Sequence, residues 1–299
     1  MNYKSETAGT RRKKDGFAAL KALSYTAKTV KYAILVFFTV IILFPLLWVL
    51  MSSLKTQADI TAHPFSVTEG FQWVNYSDAW LTANMSSYFL NSVIMTLGSL
   101  ALLLVFTLPC SYCLARFKYK WLKIVFYFFL GGLFINVNYI VIPLLIMLNR
   151  LGGRALTDNR VTVMFIYAAT NFAFTVFLQT TYMRGLPRDY EEAAKIDGAG
   201  HWKTFFLIIL PLCAPSVLTV IMFNFMGFWN EYIVSMTFFS RNRWTLPAGV
   251  QMLAQNMHLA ANIGRQYAGL MIVIVPILIV YAFIQGKLTK GVTIGGIKD

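Results

Sequence analysis

Residues 191–215 read EEAAKIDGAGHWKTFFLIILPLCAP, a charged, glycine-broken interruption followed at once by an apolar helix carrying two prolines. Its charges balance: Arg184, Arg188, Lys195 and Lys203 stand against Asp189, Glu191, Glu192 and Asp197. A connection that served only to hold positive charge on one side of a membrane would not need four acids. Pro187 can open a helix, and Asp189, Glu191 and Glu192 in its first turns favour the positive end of the helix dipole. Gly198 and Gly200 then break that helix, and a second one begins near His201. Ala193 and Ala194 keep one face small enough for close approach by another surface. The local expectation is a short helix, a tight turn and a second helix, built to dock into a partner's groove.

The surrounding chain places this segment. Of 299 residues, 58% are hydrophobic and 13% charged, where a soluble domain carries about 25% charged residues. Mean hydropathy is +0.61, and the chain falls in the membrane class. Six apolar runs are long enough to span a bilayer, at about 32–54, 89–114, 121–148, 161–183, 205–230 and 266–287. The net charge of +14 is unevenly placed. Eight basic residues (Lys4, Arg11, Arg12, Lys13, Lys14, Lys21, Lys28 and Lys31) precede or begin the first run, which reads as a topology signal. With that end inside, 19 of the Lys and Arg residues lie on the inner side and 7 on the outer. The fold class is therefore all-α: a polytopic membrane protein with six transmembrane helices and both termini cytoplasmic. It divides into a basic N-terminal segment (1–31), a six-span domain (32–287) and a tail (288–299). The quoted segment faces the cytoplasm.

Span interiors are almost free of Asp, Glu, Lys and Arg, the groups on which ion-coupled carriers and pumps depend. They hold amides instead: Asn136, Asn138, Asn171, Gln179, Asn224 and Asn230, with Glu231 at the outer end of the fifth span. Amides suit a neutral, hydroxyl-rich solute, and they equally suit hydrogen bonding between helices. Pro45, Pro109, Pro143, Pro211 and Pro276 fall in or at the ends of five spans. They bend helices where a path must open, or reflect the general tolerance of membrane helices for proline. No catalytic or phosphate-binding motif occurs, so any nucleotide that drives the protein binds another chain. Cys110, Cys113 and Cys213 are an odd number in apolar surroundings and imply no disulfide framework; His63, His201 and His258 lie on separate loops and imply no metal site.

The spacing Glu192-Ala193-Ala194, Gly198, Ile208 and Leu210-Pro211 resembles the EAA signature of ABC-importer permeases. PLLIMLNRLGG at 143–153, WNEY at 229–232 and the terminal KGVTIGGIKD are similar to the MalG-like permeases of the carbohydrate-importing group. The resemblance implies an ABC type I importer permease fold in a bacterial cytoplasmic (inner) membrane, with a coupling helix at about 188–204. It makes Glu191, Glu192, Ala193, Ala194, Asp197, Gly198 and Pro211 the set that couples to an ATPase. Within that set Glu192 would pair with a basic group on the ATPase, the alanines would permit a close fit and Gly198 would form the turn.

The implied partners are a second homologous permease, two ATPase subunits, an extracytoplasmic sugar-binding protein and a sugar or oligosaccharide. ATP and Mg would sit on the ATPase subunits, with no cofactor and no metal in this chain. The outer loop around 240–262 would reach toward the binding protein, and the tail with Gly295 and Gly296 toward the ATPase. Asn136, Asn138, Asn171, Asn224, Asn230 and Glu231 are the candidates for the solute path. The competing reading is a secondary carrier for a small polar solute.

Overall fold

Lipid offers no hydrogen bonds to a backbone, so apolar segments of this length form helices. In the computed structural model the backbone is described for residues 3–66, 70–135, 137–255 and 263–295, and side chains for 26, 28–66, 70–135, 137–255 and 263–286. No strand occurs among the described residues. The elements used below are α1 (Tyr3–Ser53), α2 (Met85–Arg116), α3 (Lys120–Gly132), α4 (Val137–Gly152), α5 (Arg160–Gly185), α6 (Asp189–Ile196), α7 (Ala214–Asn230), α8 (Leu246–Gln255) and α9 (Ile263–Gly295).

Four stretches cross a membrane by length and hydropathy as single helices: Lys28–Ser53, Met85–Arg116, Arg160–Gly185 and Ile263–Gly286. Two bent pairs bring the number to six: α3 with α4, and His201–Leu212 with α7. The third span, expected as one helix over 121–148, is thus broken, its halves meeting at 100°. Gly131 and Gly132 precede the break, and the turns there tighten. Leu133, Phe134 and Ile135 N–H groups each bond to the carbonyl three residues back, at 3.2 Å. In the fifth span the bend is 75° and lies at Cys213, between Pro211 and Pro215. Neither proline can donate to the helix ladder, and the ring of each crowds the carbonyl four residues before it.

The ends of the chain extend the spans. α1 runs without interruption from Tyr3, so the basic N-terminal segment and the first span share one helix. α9 continues to Gly295, past the expected end of the last span at 287. Gly296 and the residues after it lie outside the described residues, as does 256–262 of the outer loop.

The core forms where α2 and α5 pair, with α7 laid against both and α9 packed in turn on α7 and α1. Small polar side chains line the α2 and α5 faces: Ser92, Thr96, Ser99, Thr107, Ser111, Thr175 and Thr180 are all buried. Such residues let backbones approach closely where lipid removes the hydrophobic drive for association. One apolar cluster joins Leu103, Val163, Ile166, Tyr167, Phe228 and Phe238. Another, toward the outer side, joins Met85, Tyr88, Phe225, Trp229, Leu246 and Val273. There the Trp229 indole N–H donates to the Val273 carbonyl at 3.1 Å, so its polar edge is satisfied in the apolar layer. By contrast, the membrane-crossing part of α1 leaves Val36, Phe37, Val40 and Ile42 more than half exposed. This belt faces lipid or another apolar surface.

Candidate coupling surface and translocation path

On the cytoplasmic side α5 ends at Gly185 and α6 begins after Leu186-Pro187. α6 carries Asp189, Glu191 and Glu192 in its first turn and Lys195 in its last, each sign matching its end of the helix dipole. It ends in a Schellman turn: Ala199 N–H bonds to the Ala194 carbonyl at 2.9 Å, and Gly198 N–H to the Lys195 carbonyl at 3.0 Å. Gly198 holds φ +77°, the left-handed conformation that this turn requires and that a Cβ resists. Gly200 then caps His201–Thr204, and Thr204 N–H returns to the Gly200 carbonyl at 3.0 Å.

The hairpin has two distinct faces. Ala194 is buried, and Glu191 turns inward to meet Arg116 at the end of α2, with Nε to Oε1 at 2.5 Å. Arg116 is almost fully buried. Its Nη1 also donates to the Leu186 carbonyl at 3.2 Å, while Arg184 Nη2 donates to the Leu114 carbonyl at 3.2 Å. The cytoplasmic ends of α2 and α5 are thereby cross-tied, and Arg184 lies 4.3 Å above the Phe126 ring of α3. Beneath them Tyr112, Ala115, Met183, Phe205, Ile209 and Cys213 form a common apolar seat.

The other face looks outward. Glu192, Ala193, Asp197 and Gly198 are exposed, and Ile196 is 87% exposed in the middle of the charged stretch. Tyr190 and Trp202 flank it at 47% and 67%. The expected coupling residues therefore split. Glu192, Ala193, Asp197 and Gly198 lie on the free surface, Glu191 and Ala194 on the seat, and Pro211 at the bend below. Ile196, Tyr190 and Trp202 join the free surface. Their signal in the sequence is an apolar side chain where a charged helix has no core to bury it.

The candidates for the path are scattered. Asn224 is buried, and its Nδ2 donates to Thr175 Oγ1 at 3.1 Å and to the Val220 carbonyl at 2.9 Å. In this arrangement it ties α7 to α5 and turns no donor toward a solute. Ser216 and Gln179 make a second tie between the same elements at 3.0 Å. Glu231 accepts from the Tyr167 hydroxyl at 2.6 Å and from Val234 and Ser235 N–H at 2.7 and 3.3 Å, locking the outer end of α7. Asn171 Nδ2 reaches the Tyr167 carbonyl and Thr170 Oγ1 at 3.3 Å while remaining half-buried. Asn138 and Asn230 are exposed, and Asn230 Nδ2 donates to the Met226 carbonyl at 2.8 Å. Asn136 lies outside the described residues.

At the outer face the loop after α7 is fastened to the bundle. Asn91 Nδ2 donates to the Asn242 and Trp244 carbonyls at 3.2 and 3.1 Å, and Arg160 Nη2 donates to Asn91 Oδ1 at 2.7 Å. Asp158 accepts from Ser240 N–H and Oγ at 3.1 and 2.8 Å. This loop is expected to reach toward a binding protein; it is anchored at its near end, and its 256–262 portion is outside the described residues.

A polytopic helical bundle with a solvent-facing hairpin between its fourth and fifth spans defines a transport permease of the ABC-importer fold. The chain belongs to the family described as binding-protein-dependent transport system inner membrane component, whose model matches residues 79–293. It is similar to the diacetylchitobiose uptake system permease protein NgcG of Streptomyces coelicolor, 35% identical over 267 residues that cover 89% of this chain and 87% of that one. In structure it is similar to a chain of a bacterial ABC transporter involved in the import of the acidic polysaccharide alginate. The TM-score is 0.73 at 21% identity, covering 86% of this chain and 94% of that one. A chain of a bacterial alginate ABC transporter in complex with an alginate pentasaccharide-bound periplasmic protein matches with a TM-score of 0.60 at 12% identity, covering 87% and 92%. The protein is thus a membrane transport component and not an enzyme, and its fold is that of an importer permease.

Proposed function

We propose that this chain is the membrane-spanning permease subunit of an ATP-driven importer for a sugar or oligosaccharide, working with a second homologous permease, two ATPase subunits and an extracytoplasmic binding protein. ATP and Mg bind the ATPase subunits. The observation that carries the reading is the cytoplasmic hairpin from Asp189 to Thr204. It is seated firmly against the inner ends of α2 and α5 and presents Glu192, Ala193 and Ile196 to whatever lies beneath the membrane. Small and apolar groups in the centre with charges at the rim make a docking surface. When the ATPase pair closes on nucleotide, the hairpin moves with it and carries the attached spans between inward-facing and outward-facing arrangements.

The solute class rests on the saccharides named for the relatives and on the neutral, amide-bearing character of the spans. Asn138, Asn171 and Asn230 keep polar groups at accessible positions and are the better candidates for the path. Asn224 and Glu231 are engaged within the bundle.

The test is reconstitution of the permease pair with its ATPase and binding protein in proteoliposomes, with labelled diacetylchitobiose and a panel of other oligosaccharides as probes. Uptake that requires internal ATP and fails in Glu192→Lys or Gly198→Pro, with the chain still in the membrane, is the expected result. Uptake that persists without ATP and follows an ion gradient overturns it.

A further inference from the structure

The inward face of the hairpin carries an inference that rests on the proposed docking of its outward face. Glu191 meets Arg116 at 2.5 Å, with side-chain exposures of 14% and 4%. The same guanidinium holds the Leu186 carbonyl, just ahead of α6. Arg184, from the end of α5, reaches back to the Leu114 carbonyl on α2. The hairpin is thus fastened to α2, which is remote from it in sequence, as well as to the two spans that it connects. We infer that Arg116 and Glu191 are positioning residues that make the hairpin and the end of α2 a single rigid piece, so that motion received from the ATPase enters the bundle through α2.

Three features favour this over a purely local role. α2 runs the length of the bundle and pairs with α5 throughout, so displacement of its inner end reaches the outer side. Its outer half holds the loop after α7 through Asn91 and through Ser92, whose Oγ accepts from Leu246 N–H at 2.7 Å. Finally, Phe117 and Tyr112 on the α2 side meet His201 and Phe205 on the hairpin side, with ring centroids 5.7 and 5.1 Å apart. The contact is therefore an ion pair backed by a packed aromatic seat.

The experiment uses the complete permease–ATPase assembly in lipid nanodiscs, with Cys110, Cys113 and Cys213 replaced by Ser or Ala and spin labels at Lys118→Cys and Lys195→Cys, two exposed positions on either side of the joint. In the otherwise unaltered chain the label distance stays fixed when Mg·ATP is added. In Glu191→Gln, which keeps the side chain's shape, Mg·ATP produces a second distance differing by about 2 Å or more, the size of a helix shift in switching assemblies. Permease-dependent stimulation of ATP hydrolysis then falls about fivefold. Glu191→Asp, which keeps a carboxylate for Arg116 and leaves the Arg116 bond to the Leu186 carbonyl in place, returns the single distance and at least half of the stimulation, a rescue that a merely structural role does not give.

A distance that moves with Mg·ATP in the unaltered chain overturns the inference, and so does a Glu191→Gln assembly indistinguishable from it. A Glu191→Asp assembly no better than Glu191→Gln has the same effect. If Glu191→Gln does not assemble, the measurement on the unaltered chain decides. Failure of the unaltered permease to capture an ATPase at all refutes the proposed function, a separate result.

Discussion

The Tyr167 hydroxyl donates to Glu231 Oε2 at 2.6 Å, joining the outer half of α5 to the outer end of α7. Tyr167 is buried, and its ring stacks on Phe228 with centroids 5.6 Å apart. Removing the hydroxyl as Tyr167→Phe leaves Glu231 with its backbone donors only. Losing a hydrogen bond to a buried acceptor costs about 1–3 kcal/mol. Thermal unfolding of the detergent-solubilised chain is expected to shift down by a few degrees, with membrane insertion intact. An unchanged transition means that the pair contributes nothing to holding α7.

Gly198 separates two ways of damaging the hairpin. Its added Cβ meets no atom within 4 Å, so any cost of Gly198→Ala comes from φ +77° alone, about 1–2 kcal/mol. Asparagine visits that conformation and is expected to pass. Proline removes the N–H that bonds to Lys195 and is expected to fail. Stimulation of the ATPase should fall in the order Gly, Asn, Ala, Pro; equal values across the series refute the role of the turn.

Glu192 and Ile196 are exposed, so substitution there should spare folding. Glu192→Lys and Ile196→Asp are each expected to weaken capture of the ATPase subunits about tenfold, a loss of about 1.4 kcal/mol. Titrated pull-downs read this directly, with elution volume as the control for folding. Unaltered capture by both variants argues against this face as the docking surface.

Asn224→Leu tests whether that amide serves the path or the bundle. As a tie between α7 and α5 it is worth about 0.6 kcal/mol and at most about 1.7. Stability should drop by no more than that, and the half-saturating solute concentration should not change. A raised half-saturation with unaltered stability assigns Asn224 to the path instead.

Hydropathy and charge made the number, order and sidedness of the spans legible, because length and the inside-positive bias are properties of sequence alone. The hairpin could be read for the same reason: proline, acids, two glycines and then an apolar run each have a local conformational meaning. Its two faces could not be read. That Glu191 looks in while Glu192 looks out depends on Arg116, brought there only by the pairing of α2 with α5. The break in the third span could not be read, because mean hydropathy is blind to a bend. The amides were ambiguous because path-lining and helix-tying differ only by rotation about a helix axis, which neighbouring helices decide. Asn224 and Glu231 are engaged within the bundle for that reason.

The 75° elbow at Cys213 turns the fifth span into a bell crank. Its lower arm, which joins the hairpin, and its upper arm, which packs on α9, α2 and α5, therefore point along directions 75° apart. A straight rod in the same place could only slide along its own axis; under the proposed docking, a bent one can instead follow the movement of α2 by swinging its upper arm sideways within the lipid.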